Sequence, residues 1–287
     1  MPLTHYACTH CGGWILWFDT QEPLCCSNCM DVRNALPNEA FEYLHISEAK
    51  GTYTTKYRKH SEQFYEFWTE PQLGLGSHGW LILHPQGNIA YEAAPFYDAK
   101  ALEFIKSLGG IQYLAASHPH GYGALWQLQE AFDPVLMIHK DDLQHTKAFK
   151  VTRPIDDHLE LNDNFIFDRL GGHYDGQTSL YVKNQKLFFI GDALKIEFED
   201  EKPSALSCHK GFHYSIPLTV EELKKYIEIF SRYDFDSVIT PFELGHPITQ
   251  EVAISLFTHL IKVGPHTQPV SIHTLKENYV RKSTTTI

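Results

Sequence analysis

Two histidines one residue apart, His118 and His120 in the stretch SHPHGYGALW, follow the apolar run 111–116. In a strand or tight turn, positions i and i+2 point the same way, so both imidazoles can face one metal ion. Three further stretches place a polar side chain on the loop after an apolar run: His173 in LGGHYDG, Asp192 in FFIGDAL and His246 in ITPFELGHP. Three imidazoles with an open fourth position suit a catalytic zinc, and a nearby carboxylate can orient or deprotonate water there. Together with His118 and His120, the residues His173, Asp192 and His246 give four imidazoles and one carboxylate, donor types that zinc and iron both take. Where a further ligand is expected after His120, the chain offers the phenol of Tyr122 and then Gly123.

A second constellation is local. Cys8-x-x-Cys11-Gly and Cys26-x-x-Cys29 form two knuckles separated by 14 residues, and five of the six cysteines lie within the first 29 positions. Each knuckle can aim two thiolates at one tetrahedral cation, and Gly12 and Gly13 allow the sharp turn this needs. In a reducing compartment such crowding points to metal before disulfides. The expected ion is a structural Zn²⁺. Iron is the alternative, since the pattern also resembles rubredoxin, and it would make the segment an electron carrier. Cys25 has no role, and Cys208 stands alone.

In order, H-x-H, G-H, G-D and G-H, the separated motifs resemble those of the metallo-β-lactamase superfamily over roughly residues 40–265. The resemblance implies a four-layer αββα sandwich of α/β class, preceded by the Cys₄ module: 1–35 a zinc-ribbon or rubredoxin-like segment, 36–287 the main domain. It implies His118, His120 and His173 as ligands of a first metal, Asp192 as the bridging carboxylate, and His246 as the last histidine of a second metal. The family's usual first motif is H-x-H-x-D-H, and here Tyr122 and Gly123 replace its Asp and His. Tyr122 therefore marks a modified second-metal position: either a single ion works alone, or the phenolate reaches a ferric ion.

The function this implies is hydrolysis of an ester, amide or thioester by metal-bound water, with Asp192 as the catalytic carboxylate and one or two Zn²⁺ or Fe ions. The alternative is a mono- or dinuclear non-haem iron oxidoreductase or oxygenase, with the N-terminal module as a source of electrons. A degenerate, non-catalytic member is the third reading. His209 and His213 in SCHKGFHYS are weaker candidates for substrate contact.

These side chains need elements to position them. Asp98 caps a helix with Leu102 and Ile105 on one face that stops at Gly109-Gly110, and 122–132 reads as another helix. Thr219-x-x-Glu222 is a capping box opening a helix, and 250–263 is a last amphipathic helix before Gly264. Apolar runs at 80–84, 88–92, 111–116, 135–138, 159–161, 165–170, 179–182, 187–190 and 237–240 read as strands. Strand runs alternating with helices fit two packed sheets with helices outside.

Composition narrows the partners. Of 287 residues, 43% are hydrophobic and 21% charged, and 24 Lys+Arg against 35 Asp+Glu leave a net charge of −11. That disfavours a nucleic-acid or anionic-membrane surface. The N-terminus has no basic region leading into an apolar run, and no uncharged stretch is long enough to span a bilayer. A cytoplasmic protein with a small-molecule substrate is expected, of open oligomeric state.

Overall fold

The computed structural model describes residues 1–34, 36–37, 40–211 and 215–283, with side chains through 277. The chain forms two compact units, Met1–Ile155 and Asp156–Ile287.

In the first unit, β1 (Leu3–Cys8) pairs antiparallel with β2 (Trp14–Phe18) on one side and β3 (Tyr43–His45) on the other. A short helix, α1 (Ile46–Thr52), follows behind a capping box made by His45 and Glu48. Then comes a six-stranded sheet: β4 (Thr54–Ser61), β5 (Phe64–Glu70), β6 (Gly79–Ile82), β7 (Ile89–Tyr91), β8 (Tyr113–Ala115) and β9 (Val135–Met137), adjacent in that order. Its first four strands are antiparallel, while β8 and β9 run parallel to β7. Parallel neighbours need a crossover, and α2 (Ala99–Ser107) and α3 (Leu125–Phe132) provide them. As expected, Asp98 caps α2 by accepting from the Ala101 N–H at 2.8 Å. Gly109 and Gly110 end it at φ of 102° and 71°, values a side chain would resist. The buried face of α2, Ala101 and Ile105, packs with Leu114, Leu125 and Leu128.

In the second unit, β10 (His158–Glu160), β11 (Phe165–Arg169), β12 (Thr178–Val182) and β13 (Leu187–Phe189) form an antiparallel meander. The hairpin β14 (Lys195–Glu199) and β15 (Lys202–Ser207) and the helix α4 (Val220–Phe230) come next. The chain then returns as β16 (Ser237–Ile239), parallel to β13, and doubles back as β17 (Leu244–Gly245). After α5 (Gln250–Val263), β18 (Val270–Ser271) adds to β15, and α6 (Ile272–Ser283) ends the described chain. The Thr219/Glu222 capping box is present, and Leu223, Tyr226 and Phe230 of α4 pack with Leu256 and Phe257 of α5 and Phe188 of β13.

One helix starts later than the spacing predicts. Pro119–Gly121 winds as a 3₁₀ turn and Gly123 sits at φ 38°, so α3 begins at Leu125. Among the described residues no helix is long and apolar enough to cross a membrane.

Candidate metal centres

Among the described residues, Cys8, Cys11, Cys26 and Cys29 form a group with the composition to hold a metal ion, while the first unit also brings His118 and His120 together and the second His173 and Asp192.

The cysteine group is built on the tip of the β1–β2 hairpin. Cys8 N–H donates to the Gly13 carbonyl and Gly12 N–H to the Cys8 carbonyl, with Gly12 at φ 78°. The Cys26–Cys29 knuckle closes in the same way, by Met30 N–H on the Cys26 carbonyl. All four sulfurs lie within 4.8 Å of one another, none in a disulfide. Cys8 Sγ is 3.8 Å from Cys29 Sγ and Cys11 Sγ is 3.7 Å from Cys26 Sγ. A regular tetrahedron with Zn–S bonds of about 2.3 Å has edges of about 3.8 Å, so the cradle fits the ion. Hydrogen bonds from the neighbouring sulfurs, Cys11 first, pull the Cys8 thiol well down, while those from Cys26 push Cys11 up. Sulfurs this close cannot all shed their protons unless a cation offsets the charge.

The candidate histidine ligands sit on loops at the carboxyl ends of strands, where scaffold strands hold functional loops in place. In the first unit, His118 follows β8 and precedes the 3₁₀ turn that carries His120, and their rings stand edge to face with centroids 4.9 Å apart. Ser117 Oγ pairs with His118 Nδ1 at 2.7 Å, so Nε2 is the atom His118 offers. Asn34 Oδ1 lies 2.7 Å from His120 Nε2. An amide oxygen only accepts, so that nitrogen carries the proton and His120 offers Nδ1. In the second unit, His173 follows β11 after Gly171 and Gly172, at φ 67° and 83°. A Cβ on Gly172 would lie 2.3 Å from the Tyr226 hydroxyl, so only glycine lets α4 approach this loop. His173 Nδ1 donates to the Lys210 carbonyl, and His173 Nε2 faces Asp192 Oδ2 at 3.5 Å. Asp192 follows β13, where Gly191 at φ 55° turns the chain. All four side chains are buried, at 0 to 8% exposure.

This is a donor set a divalent cation fits. Each imidazole has its outer nitrogen held by an oxygen, which fixes ring orientation and tautomer in the manner of protein metal ligands.

No family model matches the chain. Over 189 residues it is 30% identical to the uncharacterized protein YmaE of Bacillus subtilis (strain 168), a stretch covering 62% of this chain and 66% of that protein's length. Solved structures align more broadly. VMB-1 covers 73% of this chain and 95% of its own at 15% identity, with a TM-score of 0.53. The metallo-β-lactamase from Pontibacter korlensis covers 73% and 98% at 14% identity and a TM-score of 0.51. FIM-1 from Pseudomonas aeruginosa, in its mono-zinc form, covers 73% and 96% at 10% identity and a TM-score of 0.51. The chain has the metallo-β-lactamase fold. The αββα class expected from the motif order is the class found, with the cysteine group near its N-terminus.

Within this fold the remaining candidates fall in different places. Tyr122 is 3% exposed and belongs to the apolar cluster of the first unit, its ring edge-on to Phe149 at 5.4 Å. Gly123 is a packing requirement: a Cβ there would lie 2.2 Å from the Ala93 carbonyl oxygen, so no ligating side chain fits. His246 is not brought to Asp192. Because β17 returns antiparallel along β16, His246 lies beside Ser237, with Nδ1 2.8 Å from its Oγ. Ser237 is opposite Leu187 in the parallel β13–β16 pair, whereas Asp192 lies beyond the other end, where Phe189 meets Ile239. His209 is buried, which lowers its pKa, and Asp192 is close enough to oppose that shift by its charge. His213 lies outside the described residues.

Glu92, Asn34 and Lys210 escaped the sequence reading. Glu92, at φ 59° after β7, accepts the Ser117 N–H on both carboxylate oxygens at 3.2 Å and so ties down the loop before His118. Gly121 makes room for that carboxylate: a Cβ there would collide with Glu92 Oε2 at 1.7 Å. Asn34 and the Lys210 carbonyl hold His120 and His173. A glutamate closing the apolar segment NIAYE was a readable signal for the first, whereas nothing local marks the other two.

Proposed function

We propose that His118, His120 and His173 hold one divalent metal ion with Asp192 as the carboxylate beside it, and that the protein hydrolyses a small-molecule ester, amide or thioester. What carries the reading is the set of oxygen partners on the outer nitrogens, Ser117 Oγ, Asn34 Oδ1 and the Lys210 carbonyl, which leave one defined ligand atom on each ring. A zinc ion with three imidazoles and an open position supplies a nucleophile at neutral pH and polarises a carbonyl oxygen. The protein's own part is to orient and to move protons. Asp192, the one carboxylate of the group, accepts the proton of the attacking water and returns it to the leaving group. Burial of all four side chains excludes bulk water from the reacting centre.

A single ion is favoured over two. Gly123 has no room for a side chain, and His246 stands at the other end of its sheet.

Metal analysis of protein prepared without added metal tests this, with the Cys8→Ser/Cys11→Ser variant as background. One equivalent of zinc that His118→Ala removes, together with hydrolysis of a panel of esters and thioesters, supports the proposal. Iron with substrate-dependent dioxygen uptake would replace it by the oxidoreductase reading, and histidines that take up no metal even with the cysteine site loaded and metal in excess by a non-catalytic one. Tyr122→Phe adds a spectroscopic check in the same background. The visible spectrum is expected to be unchanged, because the ring packs in the apolar cluster. A band lost on that substitution would be ferric phenolate and would sink the zinc assignment.

A further inference from the structure

We propose that Asn34 is a positioning residue that makes metal affinity at His120 depend on occupancy of the cysteine site. The inference rests on His120 being a metal ligand, as argued above, and all its contacts lie within the first unit.

Asn34 follows Cys29 by five residues and is buried, at 8% exposure. Its carboxamide is held at both ends. Nδ2 donates to the Asn28 carbonyl at 2.7 Å, and Oδ1 accepts from His120 Nε2 at 2.7 Å. The amide therefore cannot turn over without exchanging both bonds for donor–donor and acceptor–acceptor contacts. Asn28 lies inside the second knuckle, between Cys26 and Cys29. The same Asn28 carbonyl also accepts from Asp31 N–H at 3.2 Å, and the Asn34 N–H donates to the Asp31 carbonyl at 3.0 Å. Arg33 clamps this turn through Asp31, with Nε to Oδ1 at 2.7 Å and the Arg33 N–H to Oδ1 at 3.0 Å. An unbroken run of short bonds thus leads from the cysteine knuckle to the ring of His120.

The consequence is physical. A cation on the four sulfurs fixes the knuckle, the knuckle fixes the Asn28 carbonyl, and that carbonyl aims Asn34 Oδ1 at His120. His120 then holds its proton on Nε2 and offers Nδ1. Without the cation, only weak thiol contacts hold Cys8 to Cys29 and Cys11 to Cys26. The aim of Asn34 is then lost, although Asn34 touches neither metal.

The test uses full-length protein with zinc in the cysteine site and Co²⁺ as probe of the histidine site, its affinity read by chelator competition. Asn34→Ala is expected to weaken Co²⁺ binding by about tenfold or more, the usual cost of losing a ligand's outer partner. Asn34→Asp keeps the acceptor for His120 but loses the donor to the Asn28 carbonyl, so its Co²⁺ affinity is expected no longer to depend on occupancy of the cysteine site. Cys8→Ser/Cys11→Ser is expected to weaken Co²⁺ to a similar degree. Combining it with Asn34→Ala should add little, because both act on one path. Additive losses, or an Asn34→Ala protein with unchanged affinity, would overturn the link. A wild-type protein that binds no Co²⁺ outside the cysteines would overturn the function proposed above and this inference with it. Long-range ¹H–¹⁵N spectra of the imidazoles give a readout needing no metal at the histidines. The Nε2–H form of His120 is expected with the cysteine site loaded and its loss with that site stripped, and a fixed Nδ1–H form in loaded protein would refute the proposal.

Discussion

The cysteine ligands lie between residues 8 and 29, on two turns whose own backbone bonds shape them. The proposed histidine and aspartate site draws on three loops between residues 118 and 192, and each ring is oriented by an oxygen, from the adjacent Ser117 for His118 and from distant residues for His120 and His173. Four like, soft donors close a tetrahedron and leave no position for chemistry. Three imidazoles leave one open, with a carboxylate beside it for proton transfer, and their outer partners fix the orientation of the rings. The first arrangement suits an ion that holds the chain, the second an ion that acts on a substrate.

The largest expected effect separates these roles on the histidine side. Asp192→Asn keeps the shape of the side chain and removes its charge, so turnover should fall by about 10²-fold or more, while the thermal midpoint stays within a few degrees. Equal losses of activity and of stability would make Asp192 a structural residue and erase the contrast.

Next comes the converse substitution. Cys8→Ser/Cys11→Ser should remove one metal equivalent and lower the thermal midpoint by about 5–10 °C. The histidine group should still load at saturating metal. Loss of both metals together would mean that the two sites are one folding unit. Trp14 Nε1 donating to the Pro95 carbonyl at 2.7 Å shows how closely the hairpin is tied to the rest of its unit.

The smallest effect concerns a cluster of metal-ligand types with no role in either site. Glu66 is bonded to His60 Nε2 at 2.8 Å and His78 Nδ1 at 2.7 Å. Burial alone would raise its pKa, but the hydrogen bonds from the two histidines outweigh it and hold the carboxyl at about 2. A depressed carboxyl contributes stability above its ordinary pKa and loses that contribution as pH falls through the native one. Glu66→Gln should therefore be less stable than the parent by about 1 kcal/mol at neutral pH, a modest gap because the histidines are partly exposed. The gap should shrink as pH drops from about 4.5 to about 2. A gap independent of pH would deny the ion-pair character of this cluster.

Much of this was legible before folding. The capping residues Asp98 and Thr219 and the glycine stop after α2 act over one turn of helix, so sequence spacing suffices to find them. The same holds for the cysteine knuckles and for His118 and His120. Legibility failed where the chain reverses over a few residues. His246 reads as a strand-end ligand, but the two-residue β17 folds back on β16 and carries it away from Asp192. Residues 63–68 lie mostly in β5, and the Phe67 ring packs against Tyr97, a partner supplied by another part of the chain.

By itself the sequence determined the types of donor, their order along the chain and the turns that expose them, because these depend on neighbours a few residues apart. Tertiary structure decided which nitrogen each histidine offers, through Asn34, 86 residues from His120, and the Lys210 carbonyl, 37 residues from His173. It also decided that Gly123 can carry no ligand, since the Ala93 carbonyl occupies the space where its side chain would begin. Such constraints arise only when distant segments pack, and no spacing rule along one chain encodes them.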